Sequence, residues 1–127
     1  MANSITTKEQ QRAKFALDKI NSLGKIDSET ANFFVGLPTM LLTNGLGQTL
    51  AFLLSKKGKD NKYGNKYITA FEAIREHLKG DKDNLKFLGN FNSMNQKDYL
   101  ENQKEALAVA NWLKRYARAF EEKETKK

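Results

Sequence analysis

The chain has one histidine, His77, and it follows Glu72 and Glu76 in a stretch of helical periodicity. Two carboxylates and an imidazole at that range raise the question of a metal or of acid–base chemistry. The spacing argues against both. Glu72 and Glu76 share a helical face, whereas His77 is turned about 100° from Glu76. The run matches neither the His-Glu-x-x-His nor the Glu-x-x-His ligand pattern, and a solvated surface trio is expected. Any nucleophile would have to recruit this same histidine as its base. Cysteine is absent, which excludes thiol catalysis, disulfides and thiolate zinc sites.

The glycine motifs are equally unproductive for catalysis. Gly45-Leu46-Gly47 is a fragment of a dinucleotide fingerprint, but Leu50 stands where the third glycine belongs and no strand precedes it. It reads as a turn. No glycine loop runs into Gly-Lys-Ser/Thr, so a phosphate-binding P-loop is excluded. Asp81-Lys82-Asp83 opens like a calcium loop, but Leu85 occupies the position of a third oxygen ligand and the glycine is missing. The expectation is a protein without catalytic residues, cofactor or metal.

What remains is cationic. Twenty-two Lys and Arg against fifteen Asp and Glu leave a formal charge of +7 and a pI near 9.6. Such an excess speaks about partners and solubility, not fold. Polyanions are the natural partners, with colloidal solubility as the plain alternative. Distribution refines this. On the last long helical pattern, Lys104, Asn111, Arg115 and Arg118, with Lys114 at the edge, form a basic ridge opposite an apolar arc of Tyr99, Ala106, Val109, Ala110, Leu113, Tyr116, Ala117 and Phe120. The stretch from Lys56 and Lys57 to Lys66 is the densest positive run, and its glycines and polarity read as an exposed loop. Near the N-terminus, Lys8, Arg12, Phe15 and Lys19 share a face. Either the cations grip phosphates while the ring stacks on a base, or the face is solvated and Phe15 docks on another helix.

The elements that must carry these residues are set by the apolar pattern. From Thr30 to Ser55 there is no Asp, Glu, Lys, Arg or His. A spanning helix needs about 20 uninterrupted apolar residues, and Asn32, Thr39, Thr43, Gln48, Pro38 and Asn44-Gly45 break this run, so a buried spine is expected. Pro38 disfavours helix at Leu37, and Asn44-Gly45 tolerates positive φ. Two buried helices meeting at a bend follow, the second from Leu46 to Lys56, apolar nearly all round except at Gln48 and Ser55. Thr6-x-x-Glu9 and Ser93-x-x-Gln96 have capping-box spacing and open the first and the longest helices, the latter to about Glu122. Asp27 or Ser28 caps a helix bringing Phe34 and Val35 into the core. Ile68, Phe71, Ala73, Ile74 and Leu78 support a helix from about Asn65 to Lys79, and Leu85, Phe87 and Leu88 fold a short segment onto the body. No alternating strand pattern appears. The fold class is therefore all-α, a compact bundle of about six helices in one domain over residues 1–127, with 1–6 and 123–127 flexible. The Met1–Thr7 segment has neither a basic leader nor an apolar signal core, so a cytoplasmic location and no membrane are expected.

Leu100 and Leu107 fall beside the basic ridge two turns apart, and Trp112 lies between Ala108 and Ala119 on the wheel. They are either ordinary surface residues or the contact for a second protein.

Leu37-Pro38, then Asn44-Gly45-Leu46-Gly47-Gln48-Thr49-Leu50-Ala51-Phe52-Leu53-Leu54-Ser55-Lys56, then Glu105-Ala106-Leu107 and Trp112-Leu113-Lys114-Arg115-Tyr116-Ala117, together with Arg12-Ala13, resemble the small helical subunit, number five, of the Cmr complex, the type III-B CRISPR RNA-silencing effector. The resemblance covers about two-thirds of the chain and is weak from Gly58 to Asn92. It implies a non-catalytic, all-helical protein present in several copies that stacks along guide RNA and target RNA beside the backbone and large subunits. It turns the ridge into a specific expectation: Lys114, Arg115 and Arg118, with Lys56, Lys57, Arg12 and Lys19, face RNA phosphates, while Leu100, Leu107 and Trp112 supply subunit contacts. Relatives often carry a basic residue just before the Leu-Pro step, and this chain has Gly36. Two rival classes are a stand-alone nucleic-acid-binding or protein-interaction module, and a small metal enzyme at Glu72, Glu76 and His77.

Overall fold

A computed structural model describes residues 7–56 and 61–122, the side chains of 61–65 excepted. Five helices follow in order: α1 Lys8–Ser22, α2 Ser28–Ser55, α3 Asn61–His77, α4 Asn84–Ser93 and α5 Gln96–Ala119. The count is five where about six were expected, because α2 spans the two helices expected in the charge-free block, which meet at a sharp, non-helical kink.

That kink is at Gly45, with φ 84° and ψ 165°, while Pro38 sits inside the helix and is buried. The bend is close to a reversal. Thr49 donates its hydroxyl to the Met40 carbonyl at 3.2 Å, although nine residues of straight helix would separate them by about 13 Å. Phe33 and Phe52 also both lie edge-on to the same Tyr67 ring. The two limbs therefore fold back on one another, and the second begins with free amides that α5 caps. Leu46 donates to Gln103 Oε1 at 3.1 Å and Gly47 to the Tyr99 hydroxyl at 2.9 Å. The Asn-Gly-Leu-Gly-Gln run is thus a hairpin turn locked by two side chains from another helix.

The core gathers Phe34, Leu37 and Leu41 of the first limb, Leu46, Leu50 and Leu53 of the second, Phe71 and Ile74 of α3, and Val109 and Leu113 of α5. The largest helix interface is that of α2 with α5, followed by α1 with α5. Asn32 meets Arg118 and Gly47 meets Tyr99, so α2's first limb and α5 run antiparallel. Arg12 meets Glu105, and Ile26, just beyond α1, forms a parallel bridge to Glu121. Those two helices therefore run in the same direction. By length and composition α2 is the one helix among the described residues apolar enough to cross a membrane. Here Phe34, Leu37, Leu41, Leu46, Leu50 and Leu53 are buried in the core, while Leu42 and Phe52 are exposed.

Several local expectations shift. The first capping box is Thr7 with Gln10, one residue later than Thr6 with Glu9, which frees Glu9 to pair with Arg12. Asn95, not Ser93, caps α5, because Ser93 is already the last residue of α4. Asp83 caps α4, which is held by Phe87 and Phe91, while Leu85 is exposed. Starting at Asn61, α3 takes in residues expected to be loop, and Lys66 is buried against Glu29 at 3.2 Å. Val35 is half-buried, and Ala51 and Phe52 are exposed, so the second limb is not apolar all round for burial. Phe120 is exposed because α5 ends at Ala119 and the chain turns there. The terminal segments 1–6 and 123–127 lie outside the described residues.

Candidate nucleic-acid interface

The basic ridge is assembled as the helical wheel requires. Lys104, Asn111, Lys114, Arg115 and Arg118 are all exposed on α5, opposite a face whose Ala106, Val109, Ala110, Leu113 and Ala117 are buried. It does not stand alone. Asn32, Val35, Gly36 and Thr39 recur at i, i+3, i+4 and i+7 on the first limb of α2, and this face flanks the ridge. Between them runs an open groove of about 500 Å³ lined by Val35, Asn111, Lys114, Arg115, Arg118 and Ala119. Arg118 spans it, one guanidinium nitrogen 3.0 Å from Asn32 Oδ1 and another 2.5 Å from Glu121 Oε1. The arginine is held in one orientation at the groove's end, while Lys114 and Arg115 lie along its open wall. A groove with two exposed cations and a tethered third suits phosphates spaced along a backbone.

The other expected contacts divide. Lys56 caps the second limb of α2 and lies 5.3 Å above the Phe52 ring. It is grouped with the Phe33–Tyr67–Phe52 rings, on a different face of α2 from Asn32, since Asn32 and Phe33 are about 100° apart. Lys57 lies outside the described residues.

Arg12 and Lys19 do not stand on a solvated face. Arg12 is 15% exposed and forms a fork on Glu105, with nitrogen–oxygen distances of 2.6 and 3.1 Å, and it also reaches Glu9 at 3.1 Å. Glu105 is also bonded to His77 Nε2 at 3.0 Å. The Arg12 guanidinium, helped by His77, holds the Glu105 carboxyl down at about 2 against partial burial, and the carboxylates raise the Arg12 value in return. Lys19 pairs with Glu76 at 2.8 Å, and Phe15 packs against the His77 ring and the core. Phe15 thus docks on another helix, as one of the two readings of this face had it, but the face is not solvated: Arg12 and Lys19 make it α1's ion-paired seam with α3 and α5. His77 is correspondingly not part of a solvated trio. Among the described residues no group of three or more His, Cys, Asp or Glu side chains is placed to hold a metal. Sequence reasoning missed Glu105 as the hub of this cluster. Its partners lie 93 and 28 residues away, and the only local signal was a carboxylate on the edge of α5's apolar arc.

The three apolar interface candidates also separate. Leu100 is 54% exposed, whereas Leu107 and Trp112 are half-buried against the core, Trp112 stacked on Tyr116 at 5.5 Å. Only Leu100 projects.

A family model described as CRISPR-associated protein (Cas_Cmr5) matches residues 8–120. Among solved structures, the crystal structure of a CRISPR-associated Cmr5 family protein from Thermus thermophilus superposes with a TM-score of 0.72 at 26% identity, over 92% of this chain and 100% of that one.

Proposed function

The chain belongs to the CRISPR-associated Cmr5 family, and from that premise we propose that it is a non-catalytic small subunit of a type III-B CRISPR (Cmr) ribonucleoprotein, working in the cytoplasm. In this reading copies of the chain stack along the guide and target RNA and hold the target beside the backbone subunits. Sequence is read by base pairing, and this protein follows shape and backbone, as in other RNA-guided effectors. The observation that carries the RNA part is the groove between α2 and α5. Lys114 and Arg115 are exposed along it and Arg118 is fixed across it by Asn32 and Glu121. Arg12 and Lys19 are engaged within the fold and are left out of the proposal. Lys56, over Phe52, extends the basic surface on a neighbouring face.

Charge reversal at Lys114, Arg115 and Arg118 tests it. Target-RNA retention by the reconstituted complex should fall while circular dichroism of the isolated chain keeps its helical signal. Unchanged retention sinks the groove as the RNA surface. The stand-alone binder makes a different prediction: the isolated chain would bind oligonucleotides well, with a log–log salt slope of about 0.7 per phosphate contacted. A stacking subunit binds weakly alone and gains affinity on assembly.

A further inference from the structure

Among the described residues four cations lie over aromatic rings, and three of the pairs are engaged within the fold. Lys19 stands over Phe15 but is ion-paired with Glu76. Lys66 stands over Tyr67 but is buried against Glu29. Arg75 stands over Phe71, a ring with no exposed surface, and bonds Asn84. The fourth pair is different. Phe52 is 40% exposed, and Lys56, its ammonium 5.3 Å from the ring centre, meets no carboxylate among the described residues.

The fold explains why this ring is outside. The second limb of α2 turns Leu46, Leu50 and Leu53 to the core, so Gln48, Phe52 and Lys56, each four residues after the last, form a second stripe turned away from it. Gln48 is exposed like Phe52. Tyr67 of α3 meets the Phe52 ring at 6.0 Å and 78°, and Phe33 of the first limb meets Tyr67 at 4.8 Å. Two aromatic groups thus steady the ring from behind while its outer part stays open. In the sequence Lys57, Lys59 and Lys62 follow against Asp60, which makes the field at the end of the stripe positive. The α2–α5 groove is elsewhere, since Asn32, which faces it, is about 100° round the helix from Phe33.

An amide, an aromatic ring and an ammonium in one row match the parts of a nucleotide. A ring stacks on any base, a lysine takes a phosphate as a point charge, and a side-chain amide hydrogen-bonds to a base edge, adenine above all. We propose that Gln48, Phe52 and Lys56 form a nucleotide site, with the base on the open part of Phe52, the phosphate at Lys56 and the base edge at Gln48. Neighbours on such a row are about 5–6 Å apart, close enough for one nucleotide to touch all three. An apolar protein surface in the same place would cover the ammonium without giving it a partner. The inference rests on the RNA reading above only for the source of the nucleotide, an unpaired residue of a bound strand as against a free nucleotide.

Nuclear magnetic resonance of the isotope-labelled full chain at low salt tests the site. The probes are a short oligoadenylate, the same strand with abasic riboses, and adenosine monophosphate. Oligoadenylate should shift the signals of Gln48, Phe52 and Tyr67. Phe52→Ala should weaken that strand at least about tenfold, near the low end of what one stacked base is worth, and leave the abasic strand unaffected, while Phe52→Tyr retains binding. Lys56→Ala should weaken both strands and lower the log–log salt slope by about 0.7. Circular dichroism checks that each surface variant is folded. A monophosphate that saturates the site at lower concentration than the strand identifies a free nucleotide as the occupant, and the reverse order identifies RNA. Equal losses on both strands for Phe52→Ala overturn the proposal, as does an absence of shifts with every probe at millimolar concentration. Shifts confined to Val35, Asn111 and Arg115 overturn it and leave the groove standing, whereas the groove fails by its own charge-reversal test. If Phe52→Ala leaves the titrations unchanged but drops the chain from the reconstituted complex, the ring is a protein contact and the proposal falls.

Discussion

The Gly47 amide donates to the Tyr99 hydroxyl at 2.9 Å across the two halves of the fold. A Cβ at Gly47 would meet that same hydroxyl at 3.4 Å, an ordinary van der Waals contact, so it is the amide's hydrogen bond that ties the turn to α5. Two residues earlier, Gly45 holds a φ of 84° with ψ 165°, a region that residues with a Cβ rarely occupy. The signature run is therefore a backbone device that folds the spine double and fastens the turn to the helix bearing the basic ridge.

Tyr99→Phe should cost about 1 kcal/mol, the usual net worth of one hydrogen bond, because the amide of a half-buried helix start loses its acceptor. Gly45→Ala should cost about 1–3 kcal/mol through backbone strain alone, since the space beside it is open until the Tyr99 hydroxyl at 3.6 Å. Urea unfolding of the isolated chain measures both. An alanine at 45 that leaves the midpoint unchanged would mean that the turn accommodates a side chain without strain.

The acid limb of stability should belong in large part to Glu105. Its carboxyl is held at about 2, below an ordinary 4.5, by the Arg12 fork first and His77 after it. A depressed carboxylate stabilises the fold above its unfolded value, and that contribution is lost as pH falls from about 4.5 through about 2. At full effect the shift corresponds to about 3 kcal/mol, less for a side chain that is 29% exposed and screened by solvent. Asp27, lowered by the Thr30 amide it caps, adds a smaller contribution of the same sign. Glu105→Gln should lower stability at pH 7 and flatten the loss between pH 5 and pH 3. Guanidinium unfolding at those pH values, compared between wild type and variant, isolates the Glu105 share. Parallel curves would show that the ion-paired seam of α1 contributes nothing that depends on charge.

What the sequence made legible follows from where each signal lies along the chain. The α5 ridge could be read because residues three and four apart share a face on any helix, and Lys114, Arg115 and Arg118 are exposed as that rule requires. Arg12 and Lys19 obeyed the same rule but were misplaced. A helical wheel tells which residues share a face, not whether another helix covers it, and α3 and α5 bring Glu76 and Glu105 against them from 57 and 93 residues away. The kink was legible at Asn44-Gly45 but overestimated at Pro38, since a single lost amide donor inside a well-packed limb does not end it. Phe120 kept helical phase with the core arc, and its exposure follows from the chain leaving the helix one residue earlier.

Gly36 offers a gain-of-function test of the groove. It lies on the α2 face that flanks the ridge, is exposed, and a Cβ there meets nothing within 4 Å. Replacing an exposed mid-helix glycine removes an entropic cost of roughly 0.5–1 kcal/mol, so Gly36→Arg should raise stability as well as add a cation beside Val35 and Asn32. If RNA phosphates follow the groove, the variant should tighten target-RNA retention by the reconstituted complex and steepen its log–log salt slope by about 0.7, the single-strand increment for one further phosphate. Gly36→Ala serves as the control, since it supplies the helix stabilisation without the charge. Equal retention by the alanine and arginine variants would place the RNA path elsewhere. A gain confined to arginine would mark the α2 side of the groove as a wall along which the backbone runs.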